Sequence, residues 1–359
     1  MQEYWLAFTH VHGLGPVRLR QLRARFETLK DAWYADTHTL YESGLPQAVV
    51  EDIQQLRKRL EPRSLLDTVQ RLGAWVVTLD DENYPPLLRE INDAPVVLYG
   101  IGELLPEDQL AIAVVGTRRA SAYGKEMTRQ LVQELVENNV TIVSGLAYGI
   151  DIHAHRIALE NRGRTIAVLG SGIDILYPSE HRETAREIAH SGAVITEFPP
   201  GTQPERGNFP ARNRIISGLS LGTVVIEAPE ESGSLQTANL AGEQGREVFA
   251  VPGNANSPNS RGTNLLIQDG AKLVLNGQDI LKELNLAHRL ATTRQTVQTV
   301  APATPLETQI LALLTTETLH VDELSRLCQL SVKDINATLA IMELKGMVYQ
   351  IAPMTYQIK

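Results

Sequence analysis

Between residues 75 and 285 the chain alternates short apolar runs with segments of helical periodicity, and this alternation constrains its fold most. The runs fall at 75–79, 96–99, 111–115, 141–144, 165–169, 193–196, 223–227, 247–251 and 272–275. Several, such as Ala111-Ile-Ala-Val-Val115, lack polar alternation, so each must be covered on both faces. Helical segments lie between them at 125–139, 152–160 and 180–190; the first carries Met127, Leu131, Leu135 and Val136 on one stripe. The pattern predicts an α/β fold, a Rossmann-like doubly wound and mostly parallel sheet over residues 76–285.

The flanks read differently. Residues 1–75 are helical in pattern. Val11-His-Gly-Leu-Gly-Pro-Val17 forms a small-residue turn before a basic helix bearing Leu19, Leu22 and Phe26 on one face. That fits a helix-hairpin-helix (SAM-like) domain whose turn N–H groups hold phosphate, and equally a tight helical hairpin with solvated arginines. Residues 286–304 shift to Thr, Gln and Ala and read as a linker. Helices near 306–314, 321–328 and 332–345, then a strand pair around 347–351 and 355–358, predict a winged helix over 305–359. That unit holds Arg326, Lys333, Lys345 and Lys359 against Glu307, Glu317, Asp322, Glu323, Asp334 and Glu343. Its acidic balance favours protein contact or a regulatory cap over duplex DNA.

In an open parallel sheet, ligands sit at the carboxyl ends of the strands. Here those ends are rich in glycine and small polar residues. They carry Gly116, Thr117, Arg118 and Arg119, then Ser144 and Gly145, then Gly170, Ser171 and Gly172, then Ser232, Gly233 and Ser234. Turns of this kind can present successive N–H groups to an anion. After 193–196 comes Phe209-Pro-Ala-Arg-Asn-Arg-Ile-Ile-Ser-Gly-Leu-Ser220, a helix start with an aromatic ring, Arg212, Asn213 and Arg214. Arginine forks suit phosphate and a ring suits a stacked base, so the segment points to a nucleic-acid backbone. Neither G-x-G-x-x-G nor G-x-x-x-x-G-K-[ST] is present.

Other polar residues have plainer readings. His153 and His155 lie two apart at a helix start and diverge, which favours structural roles over a metal site. Asp151 suits an N-cap and Asp174 a turn brace. Glu197 and Glu227 are candidate general bases, whereas Glu230 and Glu231 read as solvated. The single cysteine, Cys328, excludes an internal disulfide. No apolar run approaches the roughly 20 residues that span a bilayer, and Met1-Gln-Glu-Tyr-Trp lacks signal-peptide character, so a cytoplasmic protein without membrane contact is expected. The net charge of −9 argues against a chain coated in nucleic acid. It leaves room for a local basic groove, because screening confines fields to about 8–10 Å.

Six ordered motifs carry a family resemblance: Gly116-Thr-Arg-Arg-Ala-Ser, Ser144-Gly-Leu-Ala-Tyr-Gly-Ile-Asp-Ile-His-Ala-His155, Leu169-Gly-Ser-Gly-Ile-Asp-Ile-Leu-Tyr-Pro178, the 209–220 segment, the 227–238 segment and Phe249-Ala-Val-Pro-Gly-Asn254. Together they resemble the DNA-processing protein A family, also called DprA or Smf. The resemblance implies a binding protein without cofactor rather than an established enzyme. It implies coating of incoming single-stranded DNA in natural transformation, loading of RecA recombinase with displacement of single-strand-binding protein, and a homodimer. Arg118 matches the family's phosphate-contacting arginine, Arg206 and Phe209 its basic-x-x-Phe element, and Arg212 and Arg214 the Arg-Asn-Arg that follows. Ser179 stands where the family often has a basic residue. The central fold is also similar to nucleotide phosphoribohydrolases of the lysine-decarboxylase-like group, but their glycine pair and glutamate are missing from 228–238. A transcription factor built on the winged helix is a third reading, disfavoured by the acidic tail.

Overall fold

A computed structural model describes residues 1–286, 305–314, 318–344, 348–352 and 354–358. They form two compact units, Met1–Leu284 and Asn285–Lys359.

All nine expected strands form: β1 (Trp75–Thr78), β2 (Val97–Gly102), β3 (Ala111–Val115), β4 (Thr141–Ser144), β5 (Thr165–Val168), β6 (Ala193–Thr196), β7 (Gly222–Val225), β8 (Glu247–Ala250) and β9 (Lys272–Leu273). They make one sheet in the order β1-β2-β6-β5-β4-β3-β7-β8-β9. Pairing is parallel from β6 through β9, while β1–β2 and β2–β6 are antiparallel. Every residue of β3 to β7 is buried, as the unalternating apolar runs require. The chain winds outward from β3 to β6, then returns to the other side of β3 with β7. That reversal, between β3 and β7, is the switch point where a doubly wound sheet opens a crevice.

Helix Ala122–Glu137 buries the expected stripe and starts three residues early, because the Ser121 side chain accepts the Gly124 N–H and caps it. The first six helices, Gln2–Thr9 to Pro62–Arg71, share a core with the sheet. Trp5, Phe8, Leu19, Trp33 and Val69 join Val76, Val97, Tyr99 and Val194 in one cluster. Residue 75 therefore marks a change of secondary structure, not a gap in packing. In the glycine turn, Gly13 takes φ +77° and Pro16 opens helix Pro16–Arg25. The His12 N–H already donates to the Asp52 carboxylate at 2.7 Å. Arg23 pairs with Asp80 at 2.7 Å, and Arg20 donates to the Asn92 carbonyl. These arginines tie the helices to the loops around β1 and β2.

The second unit has helices Pro305–Leu314, Val321–Cys328 and Val332–Leu344. Its antiparallel sheet orders β10 (Leu319–His320), β12 (Thr355–Ile358) and β11 (Val348–Ala352) as β10-β12-β11. Ile310, Val321, Leu324, Ile335, Leu339 and Val348 fill its core. This is the expected winged helix, with β10 added. From residue 287 on, the expected linker lies outside the described residues, as do Glu317, Lys345 and Lys359. Among the described residues no helix is long and apolar enough to cross a membrane.

Candidate nucleic-acid interface

The loops leaving β3 to β7 enclose an open groove of about 940 Å3 over the switch point. One wall is Gly116, Thr117, Arg118 and Arg119; another is Ser232, Gly233 and Ser234 at the start of helix Gly233–Glu243. Between them lies helix Asn208–Gly218, which presents Phe209, Arg212, Asn213 and Ile216, with Arg206 just before it. Those four helical positions are spaced three and four residues apart, so they share one face.

At the centre of the groove the Arg118 guanidinium lies 5.8 Å from the Phe209 ring centroid. Tyr177, 47% exposed, stands 5.7 Å from the same ring at 49°. A cation beside a ring flanked by a second ring suits a phosphate next to a stacked base. Gly170 makes room for this arrangement, since a Cβ there would sit 2.9 Å from Phe209 Cδ1. Gly149 takes φ +78°, and a Cβ on it would collide with the Thr117 carbonyl, so the β4 loop passes tightly beneath Thr117 and Arg118.

Several of the N–H groups expected in anion nests are used inside the loops. Thr117 N–H donates to Glu227 O at 2.7 Å, Arg119 N–H to Thr117 Oγ1 at 3.2 Å, Gly145 N–H to Asp151 at 3.1 Å and Gly172 N–H to Thr202 O at 2.9 Å. These bonds make the rim rigid.

Arg212 and Arg214 differ from the expectation of two phosphate forks. Arg212 is only 4% exposed, and its guanidinium donates to the Gly145 carbonyl at 2.7 Å and to the Val168 carbonyl. It thereby ties the ends of β4 and β5 together beneath the groove. Burial pushes its pKa down to about 10, against the pull of Asp151. Arg214 does not line the groove. Its fork grips Glu197 at 2.5 and 2.6 Å and reaches Asp93 at 3.1 Å. Burial opposes its charge, yet Glu197 holds its pKa above the usual arginine value. Its guanidinium serves the fold.

Ser144, Gly145, Gly170, Ser171 and Gly172 lie outside the groove lining. Ser144 and Ser171 hydroxyls donate inward, to Val114 O at 2.6 Å and Ile175 O at 2.5 Å. Asp151 is not the N-cap of helix Ile150–Glu160; Gly149 is, and the Asp151 carboxylate instead accepts the Gly145 N–H. Burial pushes that carboxyl up, although Arg212 opposes the shift. His155 is buried with Nδ1 2.7 Å from Thr165 Oγ1, and burial pushes its pKa down to about 3. No metal-binding group of three His, Cys, Asp or Glu exists among the described residues. Asp174 accepts the Gly201 N–H at 2.8 Å, so it ties the loop after β5 to the loop after β6 instead of bracing its own turn.

Of the candidate bases, Glu197 is held by Arg214, and Glu227 accepts both the N–H and the hydroxyl of Ser121 at 2.9 and 2.6 Å. Glu230 pairs with Arg261 at 3.0 Å, while Glu231 lies in the groove wall. Sequence reasoning missed Tyr177, Gln236 and Thr237 as lining residues. For Tyr177 the signal was an aromatic following a glycine loop, in a chain with only 5% aromatics.

Residues 75–285 match the family described as DNA recombination-mediator protein A, and residues 294–352 match the DprA winged helix domain. The chain is 38% identical to Protein Smf of Synechocystis sp. over 99% of its own length and 98% of that protein. It is 40% identical to DNA processing protein DprA of Bacillus subtilis, covering 74% of this chain and 93% of that one. The X-ray structure of DNA processing protein A from Streptococcus pneumoniae matches with a TM-score of 0.71 at 38% identity, covering 79% of this chain and 98% of that one. A Helicobacter pylori DNA processing protein A structure, described for its single-stranded DNA binding mode, gives 0.54 at 33% identity, covering 60% and 96%. The likeness spans both compact units and nearly the full length of one relative, so the chain belongs to the DNA recombination-mediator protein A family, the DprA/Smf proteins.

Proposed function

We propose that the switch-point groove binds single-stranded DNA without reading its sequence, and that it does so without chemistry on the strand. Arg118 placed against the Phe209 ring carries this reading. The ring stacks a base of any identity while the guanidinium meets the adjoining phosphate. Gly116–Arg119, Arg206, Asn213 and Ser232–Ser234 form the rest of the contact surface, and Arg212 supports it from below. The single-stranded DNA binding mode described for the Helicobacter pylori relative supports the same ligand. From family membership we infer the wider role: a homodimeric cytoplasmic mediator in DNA processing and natural transformation. It would pass the strand to RecA recombinase as single-strand-binding protein leaves. A nucleotide hydrolase is the weaker reading, because Glu197 and Glu227 are committed to Arg214 and Ser121, which leaves Glu231 in the groove wall without the glycine pair and glutamate of that enzyme group.

Titration onto a mixed-sequence oligomer, single-stranded and duplex, tests the groove. The protein should prefer the single strand, whose bases are free to stack. Phe209→Ala should weaken that binding roughly 5- to 150-fold, and Phe209→Tyr should retain it. Equal affinity of Phe209→Ala and the parent protein would overturn the site.

A further inference from the structure

Three loops at the carboxyl edge of the sheet each carry an aromatic ring in sequence order: Tyr148 after β4, Tyr177 after β5 and Phe209 after β6. The last two line the groove. Tyr148 follows Ala147, itself a lining residue, and is 41% exposed. Its ring is braced. It stands edge-on to the His181 ring, with centroids 5.0 Å apart at 70°. His181 is buried and pinned through Nδ1 to the Leu146 carbonyl at 2.7 Å. His181 lies four residues beyond Tyr177, and the neighbouring Glu180 carboxylate raises the pKa of the Tyr148 hydroxyl.

We propose that Tyr148 is a further stacking platform, so that a bound single strand leaves the Arg118–Phe209 centre past Tyr177 and reaches Tyr148. The inference rests on the single-strand reading of the groove and extends its footprint. A tyrosine ring has two side-chain torsions, and this one is already packed against the pinned His181 ring, so little entropy is lost when a base settles on it. The Glu180 carboxylate beside the hydroxyl disfavours a phosphate at this end. Contact is therefore made through the base, and Tyr148 contributes stacking without charge.

Oligothymidylates of increasing length test this, with the parent protein, Tyr148→Ala, Tyr148→Phe and Phe209→Ala compared across a salt series. On strands too short to pass Tyr177, Tyr148→Ala should bind like the parent. On longer strands it should lose roughly 5-fold or more, with the salt slope unchanged, and Tyr148→Phe should keep the parent's affinity. An abasic spacer at the responsive position should weaken the parent and leave Tyr148→Ala unaffected. Tyr148→Ala matching the parent at every length would overturn the inference, as would an equal loss at every length, the signature of a disturbed loop. Phe209→Ala should be weak at all lengths. If it binds like the parent throughout, the groove reading itself fails and the Tyr148 path falls with it.

Discussion

The two arginines of the Arg212-Asn-Arg214 segment show how residue identity and residue role separate. Two positions apart on a helix, their side chains point about 200° apart, so one groove cannot receive both. Arg212 lies under the groove and Arg214 on the opposite side, gripped by Glu197. The sequence makes this divergence legible but not the partner, because Glu197 sits on a different element. Removing one member of a buried pair strands the other, so Arg214→Met should cost about 3–5 kcal/mol in denaturant unfolding. Cost confined to DNA binding, with stability unchanged, would contradict the structural role. His155 makes a second prediction. Its pKa falls from the ordinary 6.5 to about 3 in the folded chain, so the unfolded chain binds more protons in that window. Stability should be fully present above about pH 6.5 and decline as pH falls towards 3. Urea midpoints against pH should show a shallower decline for His155→Gln than for the parent; parallel curves would contradict the assignment.

At the level of elements, the five central strands β3 to β7 were legible as apolar runs buried on both faces, and the four outer strands as apolar runs that are only partly buried or, in β9, exposed. The two-residue β10 was not, since Leu319 stands alone between polar residues, whereas the equally short β9 opens the apolar run Leu273-Val-Leu275. The loops were legible as a ligand edge, but several of the N–H groups that their glycines suggest for anion nests are bonded within the folded chain. The structure uses two of the glycines to let other parts approach. Gly170 is the sharper case, because it lies outside the groove lining and yet sets the place of Phe209. Gly170→Ala should push the ring aside and weaken single-strand binding several-fold, in the direction of Phe209→Ala, while the thermal midpoint moves little. Unchanged affinity would mean that the ring's position does not matter.

For the whole molecule, the charge pattern reconciles an acidic chain with a polyanionic ligand. A net charge of −9 is spread over 359 residues, while Arg118, Arg119 and Arg206 converge on one groove. The family match begins at residue 75, yet Trp5, Phe8 and Trp33 share a core with β1 and β2, a continuity that composition does not reveal. In the proposed complex, Arg118 neutralises a phosphate in this groove. The most direct test is the slope of log affinity against log salt for a single-stranded oligomer, measured for the parent protein and Arg118→Ala. Each neutralised phosphate contributes about 0.7 to that slope for single strands. Arg118→Ala should therefore bind more weakly and with a slope shallower by about 0.7. Weaker binding with an unchanged slope, or no change in either, would contradict the claim.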